Sequence, residues 1–262
     1  MDPIEGIIGL ADYVAPASLV FARIGAIFVT APILGGGQVP FQVKALITLA
    51  LTIAIMPSLG PEFQQGIPGP FYPLALVKEV VTGLAIGFCF GLFLEAARFA
   101  GDLVGRTAGF AAAEFFNPDA GTMEGPLGAL FFTTIALLFF VLNMHLALIA
   151  IFAQSFVFIP IGGLALGPHF GEVVHQGLQQ TYIIALTIAL PLEAAVLAIT
   201  VSEGVIARAV PQINILHITF AVKILTTMAL ITVAMPAVIT FMGVILNMAQ
   251  QFTFAFIGVA GG

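Results

Sequence analysis

Charged residues are scarce in this 262-residue chain: they make up 8% of it, while hydrophobic residues make up 60%. Soluble domains contain about 25% charged residues, so the scarcity excludes an ordinary soluble protein. The composition is that of an integral membrane protein in contact with membrane lipid. Seven basic and 13 acidic residues give a net charge of −6. This balance excludes nucleic acid as a partner, because the phosphate backbone repels an acidic protein.

The chain also lacks tryptophan and has only three tyrosines and one cysteine. Tryptophan and tyrosine usually form belts at the two membrane surfaces. A thin belt fits a protein that contacts other proteins more than lipid, and chance composition explains it equally well. Cys89 has no second cysteine to pair with, which excludes an internal disulfide, and its apolar neighbours indicate a packing role.

Sequence patterns typical of catalysis are missing as well. None of the four serines lies in a Gly-x-Ser-x-Gly motif, and no His-Glu-x-x-His motif occurs. His169 and His175 stand six residues apart in a glycine-rich loop, which is a poor spacing for a helical metal pair. We therefore predict that the chain is not an enzyme and uses no metal or other cofactor.

Long apolar runs dominate what is present. Six of them approach or exceed the roughly 20 residues that cross a bilayer as a helix. The fourth and sixth are too long for a straight span, and Asn143-Met-His145 and Met235-Pro236 are their natural breaks. We predict one all-α, polytopic membrane domain over residues 1–262. The six segments are Val14–Leu34, Val43–Leu59, Leu74–Leu94, Leu127–Ile161, Leu178–Val201 and Ile224–Ile257.

Glycine recurs at four-residue spacing in and after the third segment. Residues four apart share one face of a helix, so each row forms a groove where another backbone can approach closely. We expect these grooves to pack helices, including helices of partner subunits. Between the rows, Glu95, Arg98, Asp102 and Arg106 alternate in sign and can neutralise one another. The rows are Gly83, Gly87 and Gly91, followed by Gly101, Gly105 and Gly109.

A few charges fall inside apolar segments, where burial is costly. Arg23 lies near the middle of the first segment and Glu193 lies in the fifth. Both are predicted to be paired, either within the chain or with another chain. Lys78 and Glu79 open the third segment, where we expect their side chains to reach the membrane surface. A transporter would use such charges around a solute path, whereas a subunit of a complex would pair them with its neighbours.

The stretch from Gly105 to Gly128 combines five glycines and two prolines with Phe110, Phe115 and Phe116. One interpretation is a mobile constriction, in which bulky rings narrow a water-filled path and the glycines let the loop move. The other is a plain flexible loop with incidental phenylalanines. Composition does not separate the two.

Several short motifs follow one another along nearly the whole chain. The early ones are Thr30-Ala-Pro-Ile-Leu34 and Val39-Pro40, and a later one is Asn143-Met-His145-Leu146. The most specific stretch follows the fifth segment and contains Arg208, Pro211, Gln212 and Asn214, with Lys223 after it. Taken in this order, the motifs resemble the FliR family, the flagellar export-gate proteins, with SctT as the injectisome relative. The wording of the early and the most specific motifs leans towards the flagellar branch.

The resemblance implies an architecture, a location and a set of partners. FliR-type proteins are built from helical hairpins that assemble with FliP-type and FliQ-type subunits into a helical export gate. That gate lies in the bacterial inner membrane within the flagellar basal body, beside FlhB-type and FlhA-type export proteins, and it passes unfolded flagellar proteins.

The resemblance also implies a role for the loop after the third segment, which acts as a pore plug in the family. The hypothesis is thus a channel-forming gate subunit, and the alternative is a six-span secondary transporter of a small solute. The matching plug positions here are Gly109, Phe110, Glu114, Phe115, Phe116, Asn117 and Pro118.

Overall fold

The fold is taken from a computed structural model that describes residues 3–35, 39–59, 69–110, 125–164, 170–209 and 215–261. Over these ranges the chain is helical and contains no β-strand, which confirms the predicted all-α class. The helices are α1 (Pro3–Thr30), α2 (Pro32–Gly35), α3 (Phe41–Ile55), α4 (Tyr72–Thr107), α5 (Pro126–Val141), α6 (Met144–Phe158), α7 (Phe170–Ala209) and α8 (Ile215–Ala260), with short 3-10 turns at Met56–Ser58 and Gly69–Phe71.

By length and composition, four stretches of the described helices could cross a membrane: Phe41–Ser58, Tyr72–Thr107, Phe170–Ile206 and Ala221–Ala260. The pair α5 and α6 makes a fifth if its two halves count as one bent span. The first predicted segment contains a shorter apolar helix, Val14–Thr30, which is the later part of the 28-residue α1. Over the described residues the chain is thus a polytopic helical membrane protein with four or five candidate spans, and the count of six apolar segments remains a prediction.

The predicted break at Asn143 is confirmed. Helix α5 ends at Val141, α6 begins at Met144, and the two meet at a bend of 73°. Asn143 has a left-handed backbone with φ of 56°, a conformation that asparagine tolerates better than most residues. The predicted break at Met235-Pro236 is wrong, since α8 continues through Pro236 as one helix of 46 residues.

The chain divides into two compact units, and three long helices each contribute to both. Unit 1 comprises Met1–Leu92, Asn143–Gly177 and Met248–Gly262. Unit 2 comprises Phe93–Leu142 and Leu178–Asn247. The first has a core built on Ile24, Ile27, Ile86 and Phe152 among others, all at most 1% exposed. The prediction of one continuous membrane domain remains a prediction.

In unit 1, glycines let α4 lie against α1 at backbone distance. A Cβ on Gly83 would meet the carbonyl oxygen of Arg23 and would lie 2.7 Å from the Cβ of Ala26. A Cβ on Gly87 would lie 2.8 Å from the carbonyl oxygen of Ile27. This face of α4 is therefore occupied by the chain's own α1, which leaves no groove there for a partner subunit.

Adding one methyl group to Gly83 or Gly87 should force α1 and α4 apart. We expect Gly83→Ala and Gly87→Ala each to destabilise the protein by about 1–3 kcal/mol, the usual cost of overpacking. Gly204→Ala is the matched control, because a Cβ there meets nothing within 4 Å and alanine favours helix. Thermal unfolding of the purified variants in detergent would measure the difference. Equal stability of all three variants would contradict the close-contact argument.

Candidate functional site

Arg23 and Glu79 form a buried ion pair between α1 and α4. The Arg23 Nε donates to Glu79 Oε2 at 2.6 Å and Nη2 donates to Oε1 at 3.0 Å. Both side chains are shielded from solvent, with 0% and 1% of their surfaces exposed. The two parallel bonds are the bidentate geometry that makes arginine–carboxylate pairs strong and specific.

The same pair also holds the end of α6. Arg23 Nη1 donates to the carbonyl oxygens of Ser155 and Ile159, both at 2.9 Å, and the guanidinium lies 4.2 Å from the centre of the Phe156 ring. The carbonyl of Ile159, at the end of the helix, has no partner within it, whereas the Ser155 carbonyl also accepts from the Ile159 N–H. A cation at that end also complements the helix dipole. Arg23 therefore serves as a cap supplied by a different helix.

Beyond α6, the chain turns at Gly162, whose φ is 72°. Its N–H donates to Glu79 Oε1 at 2.8 Å, and its carbonyl accepts from Lys78 Nζ at 3.0 Å. The expectation that the Glu79 side chain reaches the membrane surface is wrong, because Glu79 is buried against Arg23. For Lys78, which is half-buried and bonded to this turn, the expectation stays a prediction. Sequence reasoning missed Glu79, although its charge in an apolar segment was the available signal.

Glu193 has a different environment, in unit 2. Its Oε1 accepts a hydrogen bond from the Thr107 hydroxyl at 2.9 Å, and the bond lies at the exposed surface. Thr107 is the final residue of α4. Glu193 forms no ion pair with another described residue. Of the two charges that were predicted to be paired, Arg23 is thus paired with a counter-charge, whereas Glu193 accepts a hydrogen bond from a hydroxyl.

Helix α4 ends in a glycine turn at the start of the predicted plug segment. Gly109 has φ of 92°, its N–H donates to Arg106 O at 3.2 Å, and the Phe110 N–H donates to Gly105 O at 3.0 Å. These two bonds define a Schellman motif, in which glycine accepts the left-handed conformation at least cost. Gly109 therefore terminates the helix and does not continue the second glycine row.

A carboxylate of α4 contacts the start of α5. The Gly125 N–H donates to Asp102 Oδ1 at 3.1 Å, so a carboxylate lies at the N-terminus of α5, which favours negative charge. A Cβ on Gly101 would lie 2.5 Å from the Leu127 carbonyl oxygen, while one on Gly105 would make ordinary contact with Leu127 at 3.5 Å. The start of α5 is thereby held against α4 at Gly101 and Asp102.

The remaining predicted residues are scattered. Arg208 is exposed near the end of α7, Lys223 is half-buried in α8, and Gly91 is buried in α4. In the charge ladder, Arg98 contacts Glu95 at 3.4 Å and lies over the Phe132 ring.

In the described ranges no three His, Cys, Asp or Glu side chains could hold a metal ion. Outside the described residues lie Glu114, Phe115, Phe116, Asn117, Pro118, Pro211, Gln212 and Asn214.

Comparison with known proteins places this arrangement in a family. The model of the bacterial export proteins, family 1, matches residues 14–249. The flagellar biosynthetic protein FliR of Escherichia coli K12 is 31% identical over 220 residues, which are 84% of each chain. The chain belongs to the FliR family of bacterial export proteins. FliR of Bacillus subtilis 168 is 28% identical over 226 residues, covering 84% of this chain and 86% of that one.

The FliR family also has a relative outside the flagellar proteins. The Yop proteins translocation protein T of Yersinia pestis is 25% identical over 212 residues, covering 79% of this chain and 80% of its own length. The similarity to both branches confirms the family predicted from the ordered motifs. It makes this protein a membrane component of an export apparatus.

In this FliR-family protein the Arg23–Glu79 pair should behave as a coupled unit. Glu79→Leu leaves a buried cation without its partner and should cost roughly 3–5 kcal/mol. The double variant Arg23→Met/Glu79→Leu should be less destabilised than that single variant, because no buried charge remains. A double-mutant cycle from unfolding midpoints in detergent measures the coupling.

A matched control for this cycle is the half-exposed pair of Arg98 with Glu95, whose side chains are 23% and 45% exposed. Exposed pairs contribute at most about 1 kcal/mol, so Glu95→Leu should have a small effect. A double variant whose destabilisation equals the sum of the two single-variant effects would show that the two charges act independently.

Proposed function

We propose that this chain is a channel-forming subunit of the flagellar type III export gate, acting without enzymatic chemistry. It would lie in the bacterial inner membrane within the flagellar basal body and pass unfolded flagellar proteins. FliP-type and FliQ-type subunits would complete the channel, and FlhB-type and FlhA-type proteins would adjoin it. The support is the FliR family assignment together with the candidate membrane spans.

In this proposal the segment that follows Gly109 is the plug. The observation that supports it is that both ends of the segment are tied to α4, by the glycine turn that ends this helix and by the Asp102–Gly125 bond. A loop with both ends anchored to one helix can project into a channel without pulling on the helices that carry it. In this proposal the helix ends position the loop, and the residues of the loop itself close the channel.

The sequence of this segment suits a closure. Phe110, Phe115 and Phe116 supply rings that can exclude water from a narrow path, and hydrophobic constrictions close channels by dewetting. Glu114 supplies a negative charge beside the rings. An unfolded chain entering the channel would displace the rings and replace their contacts with its own side chains.

The alternative of a solute transporter loses its main support at Arg23. A coupling charge must exchange partners during transport, whereas all three guanidinium nitrogens of Arg23 donate to Glu79 or to the end of α6. The residue holds three helical elements together through these bonds. A transporter would therefore have to operate without one of its two predicted coupling charges.

Removing residues 113–118 from the chain should open the plug. We expect faster ion leakage through the assembled complex in bacterial membranes, because the rings at 115 and 116 are lost while the base of the loop is kept. The measurement is conductance or dye entry at equal complex abundance. Removing residues 61–66 from another loop is the control. Leakage equal to that control in an assembled complex would contradict the plug assignment.

The side-chain oxygen of Asp102 should help to hold the base of the loop, because it accepts the Gly125 N–H. Asp102→Ala removes the acceptor for the Gly125 N–H, and a hydrogen bond to a charged group contributes about 1.5–3 kcal/mol. We expect the loop base to loosen and resting leakage to rise, with assembly retained. Asp102→Asn keeps an acceptor oxygen and is the matched control. If the alanine and asparagine variants leak equally, the hydrogen bond does not position the loop.

A further inference from the structure

Helix α7 exposes an apolar stripe in unit 2. Its members are spaced by three or four residues, so they lie along one face of the helix. Each of its apolar side chains is between 41% and 63% exposed. We call this surface the Glu193 stripe, because Glu193 falls in the same register at its centre. It consists of Tyr182, Leu186, Leu190, Glu193, Leu197 and Val201.

Glu193 is the only charged residue between Tyr182 and Val201. A carboxylate among exposed apolar side chains of a membrane helix is costly to leave in contact with hydrocarbon. Its hydrogen bond from Thr107 uses one of several acceptor positions on the two carboxylate oxygens. The stripe therefore combines apolar surface with unused capacity to accept from a cation.

The chain itself does not supply that cation. All seven of its Lys and Arg residues lie in the described ranges, and none forms an ion pair with Glu193. Residues 111–124, which lie outside the described ranges, contain no Lys or Arg. Lipid tails offer neither charge nor donor, so lipid alone would leave the carboxylate unmatched.

We propose that the Glu193 stripe is the docking surface for a transmembrane helix of another subunit, which places an arginine or lysine opposite Glu193. The apolar side chains would pack along that helix, and the ion pair would fix its register, as single polar residues do in helix assemblies. The inference rests on the proposed function, since it requires a partner in the membrane. To that function the inference adds the position of one subunit contact, at Glu193, and the charge of the residue that it requires from the partner.

The location also links the partner to the loop. Thr107, which holds Glu193, is the last residue of α4 and precedes the turn at Gly109. A partner cation at Glu193 would therefore lie beside the base of the segment proposed to close the channel. The Glu193 carboxylate would then contact both the docked helix and Thr107, at the end of α4 that leads into the loop.

The test uses the full chain in native membranes, with the photo-crosslinking residue p-benzoylphenylalanine at Leu190. We expect an adduct with a different membrane protein, and peptide mapping should place the crosslink within about one helical turn of an Arg or Lys, the reach of neighbouring side chains. Ile206, which is 58% exposed on the opposite side of α7, is the control position and should not give that adduct. Crosslinks only to lipid, or only to a second copy of this chain, would overturn the proposal.

Charge variants make the test specific. Glu193→Gln should lower the adduct yield about tenfold, the loss expected for one charge-assisted contact, and Glu193→Arg should abolish it. Changing the mapped partner cation to glutamate should restore the adduct of the Glu193→Arg variant. Glu203→Gln, in the same helix but off the stripe, should leave the yield unchanged. An unchanged yield with Glu193→Arg would overturn the proposal.

Failure of this inference can be told apart from failure of the proposed function. The wild-type chain is purified in parallel in mild detergent, and its bound proteins are identified by mass spectrometry. If the other gate subunits are recovered but the stripe gives no adduct near a cation, only the docking surface is wrong. If no export-apparatus subunit is recovered, the proposed function fails and this inference fails with it.

Discussion

The structure depends on one constraint: a polar group at membrane depth must find its partner inside the protein. Helices α5 and α6, with 16 and 15 residues, would be only about 24 and 22 Å long, too short to cross the hydrocarbon core alone. The end of α6 therefore needs partners for its carbonyls. Arg23 supplies one for the Ile159 carbonyl, and Glu79 neutralises the charge that this cap introduces.

The glycine row and the ion pair are two parts of one contact. Gly83 follows Glu79 by one helical turn, and the space where its Cβ would be is filled by the backbone carbonyl of Arg23. Only this close approach of α1 and α4 lets the short bidentate bonds form. One turn further, Gly87 allows the Thr30 hydroxyl to donate to Leu84 O at 3.3 Å. Small residues thus set the distance and the charged pair fixes the register.

Much of the fold follows from local sequence signals, and the site does so only in part. Hydrophobic runs predicted the helices, and Asn143 marked a real break because it tolerates a left-handed backbone. Pro236 gave no break, since a long packed helix can absorb one missing hydrogen bond. The partner of Arg23 could not be predicted, because Glu79 is 56 residues away and no sequence pattern fixes the rotation of two helices. Gly109 continued a four-residue row in sequence but ends the helix in the structure.

Arg23 and Glu193 look equivalent in the sequence, as single charges in apolar segments, yet their surroundings differ. Arg23 is completely buried and has a counter-charge from its own chain. Glu193 is half-buried and has a hydroxyl as its partner, on a helix face that otherwise exposes apolar side chains. A monomeric membrane protein would be selected to satisfy both charges internally, because each unmatched charge opposes insertion. The docking proposed at Glu193 would complete the charge that the chain leaves on an apolar surface, and the sign of that charge specifies what the docking helix must bring.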